Sequence, residues 1–452
     1  MKKLTTLLLL AVLLFGFKEA KLDEKLRSIL NIKGITEYSS AVADSAKVEL
    51  GRMLFFDKIL SGNKDIACAT CHHPGLNSGD NLSLAIGVGG EGLGEERKMG
   101  KGRDRIPRNS PEVFNRGSEE WHTMFWDSRV HTNPDGSFTT PADGRFPKEA
   151  KFDNVLAVQA MFPVTSRDEM RGEIGDKDVF GSMNELALVS PAAPQSIWFM
   201  LMERLRAIPE YRDMFGKAYP GEDVDQMGFE YAANALAAFE IEAFTFTNSP
   251  FDQYLSGNQD AMDESSKRGA LLFYGKANCG NCHSGNLLTD QEHHNLAIPQ
   301  FGPGKDNAAP LDAGRYAETG VKSDLFSFRT PPLRNVSLTG PWMHNGAYAS
   351  LEDAVRHHLD PATALMNYDT SQIPDELMDT YKNDPRVLER LIANLDPKLS
   401  KPVDLNTKEF NDLMSFVYAL TDSSAADLSH LVPQEVPSGL PVENLRPVNS
   451  NY

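Results

Sequence analysis

The sequence predicts a mainly α-helical protein, because helical patterns dominate it and alternating strand patterns are hard to find. From Phe410 to Val417, apolar residues recur with the i, i+3, i+4, i+7 spacing of an amphipathic helix. Asn406 and Glu409 stand just before this segment with the spacing of a capping box. A stretch rich in Ala and Phe, Phe229–Phe246, predicts a second helix.

Long loops are the second predicted feature of the fold. Gly- and Pro-rich composition predicts loops at residues 87–102 and 299–314. The polar segment His131–Asp153 contains three prolines and is interpreted as a surface insertion. Residues 431–452, also rich in proline, are predicted to form an extended tail.

The four cysteines of the chain all belong to two motifs of one form, C-x-x-C-H. The residues of the two motifs are Cys68, Cys71 and His72, then Cys279, Cys282 and His283. This form is the attachment signature of c-type haem, in which the thiols bond to the porphyrin and the histidine binds its iron. The sequence therefore predicts two covalently bound haems.

Three other interpretations of the cysteines are weaker. A four-cysteine zinc site does not need a histidine after each pair, and here both pairs have one. A disulfide framework is unusual in a large domain that has its own core. A thioredoxin-like redox motif would need a βαβ context, which the sequence lacks.

Two related haem domains are indicated by similar apolar segments that lead into the two motifs, Gly51–Phe56 and Arg268–Tyr274. A chain of 452 residues is long enough for two or three domains. We predict an N-terminal haem domain at residues 21–245 and a C-terminal haem domain at residues 246–430.

Residues 1–20 have the pattern of a secretory signal. Lys2 and Lys3 precede a largely apolar run that ends at Phe17, and a small residue, Ala20, follows. A buried N-terminal helix is the alternative, but the segment has neither a cap nor a polar face. We expect an exported, periplasmic protein, which fits c-type haem because this cofactor is attached outside the bacterial cytoplasm. No later stretch approaches the length of a membrane span.

The net charge of −18 argues against a nucleic-acid partner, since phosphate binding needs basic patches. The charge is compatible with steering of a basic protein partner. A solvated acidic surface explains it equally well.

Several motifs, in one order, resemble the di-haem cytochrome c peroxidase family, which includes the MauG enzymes. The resemblance runs from about Gly51 to Asp422. Its motifs are LFFDKILSGNKDIACATCHHP, RNSPEVFN, FWDSR, VQA, DEM, RGALLFYGKANCGNCHSG, FRTPPLRNVSLTGPWMHNG and LEDAVRHH. The resemblance implies two cytochrome c-like haem domains packed together. It also implies that the N-terminal haem meets peroxide and the C-terminal haem passes electrons.

At the first haem, the resemblance implies His72 as the proximal ligand and Glu169 as the group that moves the proton of peroxide. It implies Gln159 as the distal neighbour of Glu169 and Trp126 as an electron relay between the haems. The alternatives are a solvated carboxylate for Glu169, a core-facing amide for Gln159 and a core aromatic for Trp126.

Val88 departs from the peroxidase pattern. It stands where many family members have a histidine that caps the first iron, and valine cannot bind iron. We therefore expect an open sixth position on that iron. His73 is the near alternative ligand, but we expect it to face solvent beside His72.

At the second haem, His283 is the expected proximal ligand and His358 takes the place of the family's distal Met or Tyr. His357 and Met343 remain alternatives, and a surface pair of histidines is another. Imidazole in place of methionine would lower the potential of this haem.

The resemblance also implies one calcium ion between the domains. Asn109, Thr339 and Pro341 match the family's calcium positions, where they would offer one side-chain oxygen and two carbonyls.

The function expected from these features is reduction of hydrogen peroxide to water with electrons from an external donor protein. A MauG-like enzyme that oxidises a protein side chain is the alternative on the same scaffold. A non-enzymatic di-haem electron carrier is a third hypothesis. A homodimer is an assembly that the sequence neither requires nor excludes.

Overall fold

The computed structural model describes residues 20–147 and 149–445, so all of the predicted signal segment except its last residue lies outside the described residues. In the described part of the chain, no helix is long and apolar enough to cross a bilayer. Most regular structure is helical, with single 3₁₀ turns between the helices. The predicted mainly α fold is therefore confirmed.

The helices are α1 (20–32), α2 (Ser45–Phe56), α3 (Cys68–Cys71), α4 (Val155–Ala160), α5 (Pro194–Arg206), α6 (Pro209–Ala218), α7 (Phe229–Ala243), α8 (Pro250–Leu255), α9 (Glu264–Phe273), α10 (Tyr316–Thr319), α11 (Leu351–Leu359), α12 (Pro361–Met366), α13 (Pro385–Ala393) and α14 (Thr407–Tyr418). The strands are β1 (Thr123–Met124), β2 (Val130–Thr132), β3 (Phe138–Thr139), β4 (His293–His294) and β5 (Phe328–Arg329). Strands β1, β2 and β3 form one antiparallel sheet, and β4 pairs antiparallel with β5.

Two helix crossings of the same kind organise the two halves of the molecule. In the first half α2 packs on α7, and in the second half α9 packs on α14. A Cβ atom placed on Gly51 of α2 would lie 1.9 Å from the carbonyl oxygen of Ala235. A Cβ atom placed on Gly269 of α9 would lie 1.9 Å from the carbonyl oxygen of Asp412. Both crossings therefore require glycine, and each delivers the chain to a C-x-x-C-H motif.

The predicted capping box is present at the start of α14. The side chain of Asn406 accepts from the N–H of Glu409, and the Glu409 carboxylate accepts from the N–H of Asn406. The predicted helix at Phe229–Phe246 is confirmed as α7.

Both ends of the described chain pack on the opposite half. Helix α1 buries Leu26 and Leu30 in a cluster with residues of α8, α9 and α14. Its Asp23 forms a buried ion pair with Lys267 at 3.0 Å. The segment 425–442, at the other end, packs its apolar side chains into the core of the first half. Each half is thus completed by residues from the far end of the chain.

The sequence predicted that His131–Asp153 is a surface insertion. This prediction is incomplete, because the segment also pairs in a sheet and packs on the core. It adds β2 and β3 to the small sheet and folds back onto the first half. Phe146 stacks on Trp198 of α5 at 5.1 Å between ring centroids, and Phe152 packs against Phe146. The phenylalanines of this segment are partly buried and pack against the core, where they gain apolar contacts.

A buried ion-pair network joins the two halves. Arg108 donates to Asp127 at 2.5 Å and, through two nitrogens, to Asp312 at 2.6 and 2.9 Å. Burial alone would raise the pKa of Asp127, but Arg129 and Arg108 outweigh burial and hold it well below its ordinary value. Asp127 therefore remains ionised in the interior.

We expect Gly51→Ala and Gly269→Ala each to lower the free energy of unfolding by about 1–3 kcal/mol, the usual cost of overpacking. Denaturant unfolding of the haem-loaded protein, followed by circular dichroism, measures this change. Gly216→Ala is the matched control, since Gly216 lies in helix α6 and a Cβ atom placed on it would have no other atom within 4 Å. This control should gain about 0.5–1 kcal/mol. Equal effects at all three glycines would contradict the close-crossing argument.

Candidate functional site

The first C-x-x-C-H motif lines a cavity of about 750 Å³. Cys68 and Cys71 begin and end the one-turn helix α3, and His72 follows directly. The Nδ1 atom of His72 lies 3.3 Å from the carbonyl oxygen of Ser78. Because a carbonyl only accepts, Nδ1 carries the proton and Nε2 is free to bind a metal. Burial lowers the pKa of His72 to about 4, so the ring is neutral, as an iron ligand must be.

Gln159 and Glu169 line the same cavity. Gln159 lies in the last turn of α4, and its side-chain amide makes no hydrogen bond to another described residue. Glu169 lies in a single wide helical turn, Arg167–Arg171, of the kind that is frequent at functional sites. Val88 donates its backbone N–H to the carbonyl oxygen of Glu169 at 2.8 Å, which holds this turn against the glycine-rich loop.

The surroundings of Glu169 hold its pKa above that of an exposed carboxylate. Burial raises its pKa, Arg129 opposes that rise, and Asp168 adds to it. Arg129 itself is held by Asp127 at 3.0 Å and lies over the ring of Phe125 at 3.6 Å. The cavity therefore holds a carboxyl group whose charge is not fixed by an ion pair.

Two arginines that sequence reasoning missed lie close to one indole ring. The guanidinium carbon of Arg116 lies 4.0 Å from the ring centroid of Trp121, and that of Arg329 lies 4.9 Å from it. All three side chains line the first cavity. Arg329 belongs to the motif FRTPPLRNVSLTGPWMHNG, and this is the signal that could have found it.

Arg116 has one buried nitrogen without a partner, and Arg329 donates only to carbonyl oxygens among the described residues. Arg116 pairs with Glu112 at 2.5 Å, but its second terminal nitrogen, Nη1, is buried without a hydrogen-bond partner among the described residues. Burial, and then the charge of Arg116, lower the pKa of Arg329 to about 9. A buried cation needs a counter-ion. The carboxylates of a haem fit this need, so the residues present fit the cofactor that the motif predicts.

Val88 and His73 are both buried. Val88 is buried in the core, and His72 is the one histidine among the described residues that line the first cavity. The expectation that His73 faces solvent is wrong. His73 is 2% exposed, and its Nε2 lies 3.2 Å from the carbonyl oxygen of Glu443. The C-terminal tail covers it, which no local pattern around His73 could show.

Trp126 forms part of the wall of both cavities. Its indole N–H donates to the carbonyl oxygen of Asn109 at 3.0 Å. Its own carbonyl oxygen accepts from the backbone N–H of Arg329 at 2.8 Å, so both halves hold it. The preceding residue, Phe125, has a φ of +67°, which is uncommon for an aromatic residue and turns the chain sharply there.

The second motif lines a smaller cavity of about 180 Å³. The ring centroids of His283 and His358 lie 6.2 Å apart in it. Two metal–nitrogen bonds of about 2 Å each, plus the half-width of each ring, give a separation of this size. Nδ1 of His283 lies 3.1 Å from the carbonyl oxygen of Leu288, and Nδ1 of His358 lies 2.7 Å from that of Ala354. Both Nε2 atoms are therefore available to one iron.

The alternatives to His358 are placed differently. Both ring nitrogens of His357 are engaged, Nδ1 with the hydroxyl of Tyr348 at 2.7 Å and Nε2 with the carbonyl oxygen of Leu296 at 2.7 Å. Met343 does line the second cavity. The surface-pair interpretation does not hold for His357, because this residue is fully buried.

The cysteine pairs line separate cavities, so they cannot form one four-cysteine zinc site. All four are free of disulfide bonds. The zinc and disulfide alternatives to haem attachment therefore do not fit this structure.

The three predicted calcium positions leave their oxygens unused. Asn109 donates its amide to the carbonyl oxygen of Leu82 at 2.7 Å, and Thr339 donates its hydroxyl to that of Val336 at 3.2 Å. No hydrogen bond between described residues uses Oδ1 of Asn109 or the carbonyl oxygens of Thr339 and Pro341. Neutral oxygen ligands suit calcium, but the site stays a prediction.

Comparisons with known proteins identify a matching family and several relatives of this chain. Residues 45–260 match the family model described as di-haem cytochrome c peroxidase. Cytochrome c551 peroxidase of Pseudomonas aeruginosa is 32% identical over 326 residues, which cover 71% of this chain and 74% of that protein. Methylamine utilization protein MauG of Methylorubrum extorquens is 29% identical over 357 residues, which cover 79% of each chain.

Two solved structures have a similar fold. A MauG-like protein associated with microbial copper homeostasis matches with a TM-score of 0.56 and 25% identity, over 87% of this chain and 94% of that one. The diheme peroxidase BthA from Burkholderia thailandensis matches with a TM-score of 0.54 and 20% identity, over 89% of this chain and 91% of that one. The second likeness concerns the fold alone.

Family membership implies two c-type haems, and the two cavities with their thiols, imidazoles and arginines fit them. This chain therefore belongs to the di-haem cytochrome c peroxidase and MauG family, and it is an oxidoreductase of the cytochrome-c peroxidase type.

Proposed function

We propose that this protein reduces hydrogen peroxide to water in the first cavity, with electrons that an external donor protein supplies through the second haem. The observation that carries the proposal is that Gln159 and Glu169 both line the cavity that His72 lines, with no second histidine among the described lining residues. Peroxide bound there would meet a free amide and a carboxyl group of raised pKa.

The haem bound in this cavity would supply the redox chemistry. With peroxide bound in the cavity, Glu169 would accept a proton from one peroxide oxygen and return it to the other, which would leave as water. Gln159 orients the peroxide through its amide. The complete reaction consumes one hydrogen peroxide, two electrons and two protons and forms two waters.

We further propose Trp126 as the electron relay between the two haems. It is the tryptophan that forms part of both cavity walls, whereas Trp121 lines only the first. Two guanidiniums beside Trp121 disfavour the loss of an electron from that indole, because they would repel the resulting cation. Trp126 has no guanidinium stacked on its ring among the described residues, so oxidation favours it.

We expect Glu169→Gln to lower the rate of peroxide reduction by at least about tenfold, since positioned proton transfer contributes 10²–10⁴-fold. Stopped-flow absorbance of the haem-loaded ferric protein measures the reaction. Glu173→Gln is the matched control, because this exposed carboxylate lies near the same turn and does not line the cavity. Equal rates in the wild type and Glu169→Gln would remove Glu169 from the mechanism.

The same variant tests the pH dependence. Glu169 accepts a proton only when it is ionised, so the rate should fall as pH decreases through its pKa. Because burial raises that pKa, the fall should occur above the range of an ordinary glutamate. Glu169→Gln should lose this part of the pH–rate profile, and Glu173→Gln should keep it.

A MauG-like oxidation of a protein side chain is the second candidate, and Val88 is the observation that favours it. Position 88 is a valine whose side chain is buried in the core. It therefore cannot cap the first iron as a histidine at this position would. Peroxide would then react without prior reduction. A MauG protein is also among the relatives.

Turnover with a reduced small cytochrome separates the two enzymes. The peroxidase should oxidise two equivalents of cytochrome for each peroxide over many cycles. The MauG-like enzyme should react with peroxide and leave the cytochrome reduced. A protein whose haem spectra do not respond to peroxide would be an electron carrier, the third hypothesis.

We propose His283 and His358 as the two axial ligands of the second haem and His72 as the proximal ligand of the first. We expect His358→Ala to convert the second haem from low spin to high spin, seen by electron paramagnetic resonance of the ferric protein. His357→Gln should leave it low spin, because His357 is engaged by Tyr348 and Leu296 instead. A low-spin signal that survives in His358→Ala but not in Met343→Leu would assign the ligand to Met343.

We also propose a calcium ion at Asn109, Thr339 and Pro341, and export to the periplasm through residues 1–20. Asn109 connects the calcium position to the relay, since its carbonyl oxygen accepts from Trp126. An ion there would hold the loop that positions the indole.

A further inference from the structure

The mouth of the second cavity carries positive charge, although the protein as a whole is acidic. Among the described residues that line this cavity, the exposed ones are Asn278, Asn281, Lys398 and Lys401. The two asparagines lie beside the cysteines of the second C-x-x-C-H motif, and the two lysines follow helix α13. The second cavity therefore opens to solvent between these two segments, with two amides and two ammonium groups at its edge.

The walls of the two cavities differ in their acidic side chains. Seven carboxyl side chains line the first cavity, whereas none of the described residues that line the second cavity is Asp or Glu. The whole chain has 63 acidic and 45 basic residues. The second wall has Arg329, which is buried, in addition to the two exposed lysines. The charge at this mouth is thus opposite in sign to the net charge of the protein.

The charges of the two lysines are only partly compensated within the protein. Nζ of Lys398 lies 3.7 Å from a carboxylate oxygen of Asp290, which is beyond hydrogen-bond distance. The same oxygen of Asp290 lies 3.0 Å from Nε2 of His294. Lys401 is exposed and takes part in no ion pair between described residues. Both ammonium groups are therefore able to bind an anion from solvent.

The carboxylates of the haem do not account for these lysines. Nζ of Lys398 lies 3.9 Å from Sγ of Cys282. A c-type haem is attached to its cysteines through the two vinyl groups, and its two carboxylates leave the opposite edge of the porphyrin. Lys398 therefore lies at the attachment edge. The anion that fits this mouth comes from another molecule.

We propose that the electron donor docks at the mouth of the second cavity and presents an acidic face to Asn278, Asn281, Lys398 and Lys401. This inference rests on the proposed function, because it names the class of donor protein that serves the second haem. Ammonium and amide groups both donate hydrogen bonds to carboxylates, so all four side chains suit such a face. Each docking event passes one electron from the reduced donor to the second haem, and two events supply the two electrons that one peroxide consumes.

The net charge of −18 taken alone would favour a basic donor. At physiological ionic strength, however, charges are screened over about 8 Å. Charges on distant surfaces therefore contribute little once two proteins are in contact. The charges at the contact itself determine which partner is accepted and how fast it associates.

The test uses zinc-substituted cytochrome c as the donor, because the photoexcited triplet state of this protein reduces ferric haem. The lysine-rich cytochrome is a basic donor, and the same cytochrome with its lysines succinylated is an acidic donor of the same fold. Flash photolysis follows the decay of the triplet in the presence of the haem-loaded ferric protein, without peroxide, at about 0.1 M salt. The dependence of this decay on protein concentration gives the second-order rate constant of electron transfer.

We expect Lys401→Glu to lower the rate constant with the acidic donor by at least about threefold, a part of the 10–10³-fold that electrostatic steering provides. The same variant should raise the rate constant with the basic donor. Lys398→Glu should act in the same direction, and Lys401→Gln should have a smaller effect because it removes one charge without reversing it. Haem absorbance and thermal unfolding check that each variant is folded and loaded.

Lys101→Glu is the matched control. Lys101 is exposed in the glycine-rich loop of the first half and lines neither cavity, so this variant changes the net charge by the same amount at a distant place. Its rate constants with both donors should stay close to those of the wild type. An equal effect in Lys101→Glu and Lys401→Glu would overturn the docking proposal, because the effect would then come from the net charge.

The remaining outcomes separate the docking surface from the proposed function. With the acidic donor, a rate constant that is unchanged or higher in both Lys398→Glu and Lys401→Glu would overturn the docking proposal and leave the peroxidase proposal in place. Because these rates are measured without peroxide, they do not depend on peroxide reduction. If the lysine variants change the rates as expected but the protein consumes no peroxide, the docking surface is supported and the peroxidase proposal fails.

Discussion

The buried ion pairs of Arg108 with Asp127 and Asp312 fix the two halves of this molecule relative to one another. Arg108 and Asp127 belong to the N-terminal half and Asp312 to the C-terminal half, and all three are almost fully buried. Removal of one partner from such a network leaves a buried charge without compensation, at a cost of about 3–5 kcal/mol. Asp127 directly follows Trp126, so the network also fixes the indole in the wall between the two cavities.

The two cavities differ although the same kind of helix crossing leads into each. In the first, a carboxyl group and an amide face a space lined by a single histidine among the described residues, and two guanidiniums lie on its wall. In the second, His283 and His358 face each other at the distance that one shared iron requires. These differences support the proposed roles of the two cavities, with the small reactant in the first and electron transfer in the second, since an iron held by both imidazoles would have no open position.

Residues from the far end of the chain complete the first site. Glu443 accepts from Thr70 of helix α3 and pairs with Lys58 at 3.1 Å, while its carbonyl oxygen lies beside His73. The segment 431–445 is packed over the attachment motif, and residues 446–452 of the predicted extended tail lie outside the described residues. Helix α1 packs in the same way in the cluster beside Cys279, so both sites depend on segments distant in the sequence.

Local sequence determined the helices and the haem attachment sites of this protein. A capping box, an apolar repeat and a C-x-x-C-H motif act over a few residues, so Asn406, α7 and the two cysteine pairs could be predicted without a fold. The resemblance named Glu169, Gln159 and His358, and the structure brings each into the cavity expected of it. The roles of these residues remain proposals. Only tertiary structure decided what depends on residues distant in the sequence. Arg116 and Arg329 contact one indole, the tail buries His73, Phe146 packs against the core, and the hydroxyl of Tyr348 contacts His357. Contacts of this kind form when segments distant in the sequence pack together and exclude water. The local sequence of one segment therefore does not predict them.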